Sequence, residues 1–281
     1  MVKVKKKHRH LWIKIILLII VLLLCGFISP LKVTKYDIHS SSLPEEFDGY
    51  KIVQISDFHC KEFGDKEDQL IRKIKNLHPD LIVFTGDIVD EEHTIDNAKY
   101  LIEGLVGVAP MYYVTGNHEY YTGGPYGGAP YQEFQELCLE NNVKILDNET
   151  CDIEKDGAKI RISGLDWWNS TANLRDVVGY ADLSYFNILL CHDSSKFNYY
   201  SEYGYDLIFA GHIHGGLIVL PFVGGLLGSD FSFFPKYYHG LYWDKNSIMV
   251  SNAGLGDARV PRWNNPREIV CVKLHRDKED K

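Results

Sequence analysis

Eight polar residues in five short blocks have the types and settings for metal chemistry: Asp57 and His59, Asp87, Asn117 and His118, His192, and His212 with His214. Each block follows an apolar, strand-like run, at 51–56, 81–86, 112–116, 188–191 and 207–211. Open α/β sheets gather their sites at the carboxyl ends of strands. Imidazoles, carboxylates and one amide carbonyl suit a divalent Mn, Fe or Zn ion, whereas an all-oxygen Mg or Ca site wants fewer histidines. The donors outnumber the needs of one ion. Two ions about 3.5–4 Å apart, bridged by a carboxylate and a hydroxide, stabilise both the attacking and the leaving oxygen of an in-line displacement at phosphorus. Asp87 is the candidate bridge. A lone Asp-x-His is ordinarily a turn or a cap, but seven residues of ligating type at five strand ends make a poor coincidence. Asp90, Glu119 and Asp193 read as surface groups or as groups that orient ligating imidazoles, not as ligands.

These blocks need a frame that brings five strand ends together. Short apolar runs alternate with helix-like segments, which predicts an α/β fold. At 66–77, Leu70, Ile74 and Leu77 recur at helical spacing, and at 131–141 Phe134, Leu137 and Cys138 do the same. Both segments are expected to pack as helices on a sheet. Residues 32–38 read as a strand. Glycines at 86, 116 and 211 let the chain turn sharply beside the ligands. The Tyr-, Gly- and Pro-rich stretch 120–131 follows His118 directly and is either a substrate lid or an ordinary surface loop; Trp167 and Trp168 admit the same two readings. The six cysteines include no CxxC pair and form no disulfide framework, and Cys138 and Cys151 pair only if the fold juxtaposes them.

Charge is divided unevenly along the chain. Six of the 30 Lys/Arg and none of the 38 Asp/Glu lie in residues 1–29, which leaves 24 against 38 and a formal charge of −14 on the rest. So acidic a domain is not built to grip a nucleic-acid backbone. The apolar run 11–28, interrupted only by Lys14, predicts an uncleaved transmembrane anchor over 11–29, since no small-x-small cleavage site follows it. The basic tail 1–10 then places the N-terminus in the cytoplasm and the domain, 31–275, outside a single-pass cell-membrane protein.

In order and approximate spacing, the blocks Asp57-Phe58-His59, Gly86-Asp87-Ile88-Val89-Asp90, Gly116-Asn117-His118-Glu119, Cys191-His192-Asp193 and Gly211-His212-Ile213-His214-Gly215-Gly216 match the motifs of calcineurin-like metallophosphoesterases, which the chain resembles from about residue 31 to 274. The resemblance implies a four-layer α-β-β-α sandwich. It also implies Asp57, His59, Asp87 and His214 around a first ion, and Asp87, Asn117, His192 and His212 around a second, with manganese favoured. His118 would face a phosphate-ester substrate, which a metal-bridging hydroxide attacks directly. Arg259 and Arg262 are candidate phosphate clamps, because guanidinium matches phosphate oxygens bidentately. Tyr120 to Gly124, Gly240-Leu241-Tyr242, Gly254-Leu255-Gly256 and Pro266-Arg267-Glu268-Ile269 look most like the bacterial membrane-associated branch related to lipid-nucleotide pyrophosphatases. That branch makes a lipid-linked nucleotide such as UDP-2,3-diacylglucosamine the alternative substrate. A non-catalytic scaffold on the same fold is the remaining alternative.

Overall fold

In the computed structural model, residues 2–121, 128–171 and 174–277 are described. The expected lid falls largely on 122–127, outside them. The chain opens with helix α1 (Val2–Cys25), then strands β1 (Leu31–Ser40), β2 (Lys51–Ile55), β3 (Leu81–Thr85), β4 (Met111–Val114) and β5 (Val143–Ile145). Between them lie α2 (Asp68–Lys75), α3 (Asp96–Leu105), α4 (Asn117–Tyr121) and α5 (Ala129–Glu140). The second half supplies β6 (Thr150–Lys155), β7 (Ala158–Gly164), β8 (Asn187–Asp193) and β9 (Leu207–Gly211). A ribbon of β10 (Ile218–Leu220) and β11 (Gly224–Leu227) follows, then β12 (Gly240–Asp244), β13 (Ser247–Ser251) and β14 (Arg267–Arg276).

Two six-stranded mixed sheets result, in the orders β1-β14-β2-β3-β4-β5 and β12-β13-β9-β8-β7-β6. In the first, β2 to β5 run parallel and β14 is antiparallel to β2. In the second, β7, β8, β9 and β13 are parallel, with antiparallel edges. Strands β3 and β9 are buried along their whole length, as near-continuous apolar strands covered on both faces must be. One apolar cluster, with Val83, Leu190 and Phe209, fills the space between the sheets. A second packs Leu70, Ile102 and Phe134 of α2, α3 and α5 on the first sheet, and a third packs Phe197 and Tyr200 on the second. The layers therefore run helices, sheet, sheet, helices.

Some boundaries differ from the sequence reading. Helix α2 begins at Asp68, not 66, because buried Glu67 turns back to accept from Phe63 N (3.1 Å) and, with Lys66, takes a positive φ. Strand β8 continues through His192 to Asp193, and its register against β9 shifts after Leu190. All six cysteines are free.

The membrane anchor expected over 11–29 is corrected. Among the described residues no helix is long and apolar enough to cross a membrane. The helix ends at Cys25, where Gly26 lies against the Trp263 ring and Trp263 Nε1 donates to Leu23 O (2.8 Å). Residues 11–25 at about 1.5 Å each give about 22 Å, against a hydrocarbon core of about 30 Å. The single-pass topology built on that anchor loses its support.

Candidate metal centre

Backbone hydrogen bonds zip the first two strand-end loops together: Asp57 N donates to Gly86 O and His59 N to Asp87 O, both 3.0 Å. Gly86 has φ +84°, and a Cβ there would lie 2.6 Å from both Gly116 N and His192 Nδ1. Only glycine permits that approach. The second sheet closes the ring, where His212 N donates to Asp57 Oδ1 (3.0 Å), and within the first sheet His118 N donates to Asp87 Oδ1 (2.8 Å). Each aspartate thus has one oxygen fixed by a loop other than its own.

Two groups of donors converge. Asp57, His59, Asp87 and His214 form one and Asp87, His192 and His212 the other, the atoms within each group lying within 4.8 Å of one another. Asp87 belongs to both. Its Oδ2 is 3.0 Å from His192 Nε2 and 3.7 Å from His59 Nε2. His59 Nε2 and His214 Nε2 stand 3.2 Å apart, as do His192 Nε2 and His212 Nδ1. Asn117 sits at the start of α4 with its buried Oδ1 lacking any hydrogen-bond partner. A buried, unpartnered carbonyl is costly unless a cation meets it, and imidazole nitrogens this close together favour a cation between them. The residues present therefore fit a divalent metal pair.

The surroundings orient these donors. His192 Nδ1 donates to Thr85 O (2.7 Å), which turns Nε2 inward. Asp90 Oδ2 lies 3.4 Å from His59 Nδ1, the carboxylate–imidazole pairing that fixes ring orientation around metals. Burial alone pushes His192 down, but Asp87 and Asp57 outweigh it and raise its pKa to about 10. Burial raises Asp87, and His192, His118 and His59 overcome that to hold it well below the usual carboxylate range. Desolvation pushes His212 and His214 down, reinforced by His192 and His59 respectively. A cation taking the His192 nitrogen displaces its proton, so metal uptake strengthens as pH rises.

Glu119 is not a member of either donor group. Wholly buried, it accepts from Asp87 N, Ile88 N and Gly116 N (2.9, 2.7 and 2.7 Å) and so ties the β3 and β4 loops together. Asp193 accepts from Ser195 N and pairs with Lys196. Arg262 is corrected as a phosphate clamp: it is buried, and its guanidinium donates to Gly256 O, Ala253 O and His214 O. It braces the β9 loop from behind. Arg259 is exposed. His118 is partly exposed, edge-on to His59 at 4.6 Å, with Nδ1 2.8 Å from Glu91 Oε2. Glu91 escaped the sequence reading; its only signal was a carboxylate just after the Gly-Asp block. The Trp167 ring packs 4.9 Å from that of His212, whereas Trp168 is exposed.

Asp147 steadies the β4 loop from below, accepting from Thr115 N and Oγ1 (3.0 and 3.2 Å). Desolvation, with Asp166 and Glu119 nearby, raises its pKa from 3.8 to about 7. A raised acid favours the fold below the unfolded pKa, and that contribution is lost as pH climbs through the folded value, here from about 4 to about 7. Asp147→Asn keeps an acceptor without the charge. Its stability relative to the parent is expected to improve by about 2–4 kcal/mol between pH 4 and pH 8. Thermal unfolding across that range checks this, and parallel curves for variant and parent would refute it.

Comparison with known proteins gives the family. Residues 50–216 match the calcineurin-like phosphoesterase family. The chain is 33% identical over 260 residues to YkuE, a metallophosphoesterase of Bacillus subtilis, covering 87% of this chain and 85% of YkuE. It is 24% identical to the UDP-2,3-diacylglucosamine pyrophosphatase LpxG of Chlamydia trachomatis, over 83% of this chain and 86% of LpxG. The structure of a phosphopantetheinyl hydrolase from Mycobacterium tuberculosis superposes with a TM-score of 0.48 at 13% identity, covering 74% of this chain and 91% of that one. The family match holds three of the five strand-end blocks in its first part and the two histidine blocks in its last. The chain therefore belongs to the calcineurin-like phosphoesterases and is a metal-dependent phosphoester hydrolase.

Proposed function

We propose that the chain hydrolyses a phosphate ester at a dinuclear centre in which Asp87 is shared by both ions. The observation that carries this is the presence of Asp87 in both donor groups. Asp57, His59 and His214 complete the first site; His192, His212 and the unpartnered Asn117 Oδ1 complete the second. When bound, two divalent ions supply Lewis acidity that makes water nucleophilic at neutral pH and offsets charge on the attacking and leaving oxygens. Manganese, iron and zinc all suit this donor set.

The chain's own residues do the rest. Asp57 and Asp87 are preset by backbone N–H groups, so the donors need little reorganisation to receive cations. His118, at the exposed side of the centre, is placed for a phosphoryl or leaving oxygen, with Glu91 on its far nitrogen. Metal-stripped full-length chain is expected to turn over neither p-nitrophenyl phosphate nor bis(p-nitrophenyl) phosphate, and refilling with Mn, Fe or Zn is expected to restore hydrolysis. Undiminished turnover after stripping would overturn the reading. The ratio of rates on the two esters ranks monoester against diester. Cleavage of a lipid-linked nucleotide such as UDP-2,3-diacylglucosamine is the second reading, favoured by the relative named for that activity. Activity on that pyrophosphate with neither p-nitrophenyl ester cleaved would select it. The complete donor set disfavours a non-catalytic scaffold.

A further inference from the structure

The β10–β11 ribbon carries an apolar protrusion that hydrolysis does not use. Phe222 and Val223 form its tip, and Phe231, Phe233 and Phe234 follow on the next loop, all exposed. Phe222, Phe231 and Phe234 have φ of +67°, +61° and +54°. Bulky side chains are costly in that left-handed region, where glycine or asparagine would serve a turn better. Three phenylalanines there need a reason other than the turn itself.

The protrusion is continuous with a second exposed apolar surface. Trp263 N donates to Leu217 O (2.8 Å), and Val219 N donates to Trp263 O (3.0 Å), so the strap at 263 borders the ribbon. From the same strap Trp263 Nε1 reaches Leu23 O (2.8 Å), and Asn264 N reaches Gly26 O (2.6 Å). Helix α1 is thereby attached beside the ribbon, and its described apolar residues from Leu11 to Leu24 are exposed around its whole circumference, with Phe27 and Ile28 exposed beyond it. A protein groove would cover such a helix on one side. A lipid phase covers all of it.

We propose that the phenylalanine protrusion, together with the end of α1, docks on a phospholipid bilayer and holds the metal centre at its surface. The connection to the centre is short: Ser229 Oγ, in the loop that carries the phenylalanines, donates to His212 O. Aromatic and aliphatic side chains seated at the acyl boundary are how proteins lie on membranes without crossing them. The acidic body provides no attraction to anionic headgroups, so the contact made by the phenylalanines is apolar and is not abolished by salt.

The test uses full-length Phe222→Trp chain, with vesicles of phosphatidylcholine brominated on its acyl chains, and takes the difference in emission from the parent. The added indole is expected to shift to shorter wavelength on vesicle binding and to lose at least half its intensity to bromine. Added emission that stays water-like and unquenched while the chain pellets with the vesicles would overturn the proposal, and so would failure to pellet. Phe222→Ser with Phe233→Ser is expected to lower the vesicle partition coefficient about tenfold or more. If instead the parent dimerises without lipid and this double variant does not, the surface belongs to a second copy and the proposal falls. Metal-dependent p-nitrophenyl hydrolysis, measured on the same samples, is expected to be unchanged, so failure of docking and failure of the hydrolase reading are read separately.

Discussion

Asp87→Ala is expected to remove detectable turnover and to reduce bound metal from two ions per chain to one or none. Three separate losses coincide at this residue. Its Oδ2 faces nitrogens from both donor groups, 3.0 Å from His192 and 3.7 Å from His59. Its Oδ1 accepts from His118 N, so the β4 loop loses an anchor as well. The third loss is electrostatic: against the lowering effect of burial, Asp87 leads the carboxylates that raise His192 to about 10. Truncating one partner of a buried charged pair leaves the other uncompensated, at about 3–5 kcal/mol. Metal analysis of the purified variant, beside thermal unfolding, separates loss of ions from loss of fold. Asp87→Asn keeps an acceptor for His118 N and is expected to fold better while still binding metal poorly. A variant that kept two ions per chain would refute the shared-ligand assignment, since Asp57, His59 and His214 alone would then suffice for the first site.

The sequence made the centre legible because ligand type and strand-end position are both local properties. An apolar run ending in Ser-Asp, Gly-Asp, Gly-Asn-His, Cys-His or Gly-His can be read in half a dozen residues. What decides the geometry is not local. Asp57, His59, Asp87, His212 and His214 all have positive φ, between 48° and 73°. No spacing announces that, because the strain is maintained by bonds between loops more than a hundred residues apart, such as Asp57 with His212. Glu91 and Arg262 fail for the same reason in opposite directions. Glu91 gained a role through a side-chain partner on another loop, and Arg262 lost one because three backbone carbonyls lie around it. The end of α1 was equally out of reach, being set by Trp263, 240 positions from Leu23.

His118→Ala is expected to leave both ions bound and to lower kcat about 10²–10⁴-fold, the range for loss of one positioned acid–base group. The contrast with Asp87 follows from placement. His118 lies outside both donor groups, partly exposed, while its backbone N–H, which alanine retains, continues to hold Asp87. With Nδ1 engaged by Glu91 at 2.8 Å, Nε2 is the nitrogen left for substrate. Glu91→Gln should therefore reproduce part of the defect, about 10–100-fold, because the ring keeps a neighbour but loses the carboxylate that fixes its orientation and supports its charge. Leaving-group dependence distinguishes the two tasks open to His118. If it protonates the leaving oxygen, alanine penalises an alkyl phosphate far more than p-nitrophenyl phosphate, whose anion departs without a proton. If it offsets charge on the phosphoryl oxygens, both esters slow by the same factor. Loss of metal from His118→Ala would contradict both, and would place the residue among the ligands instead of facing the substrate.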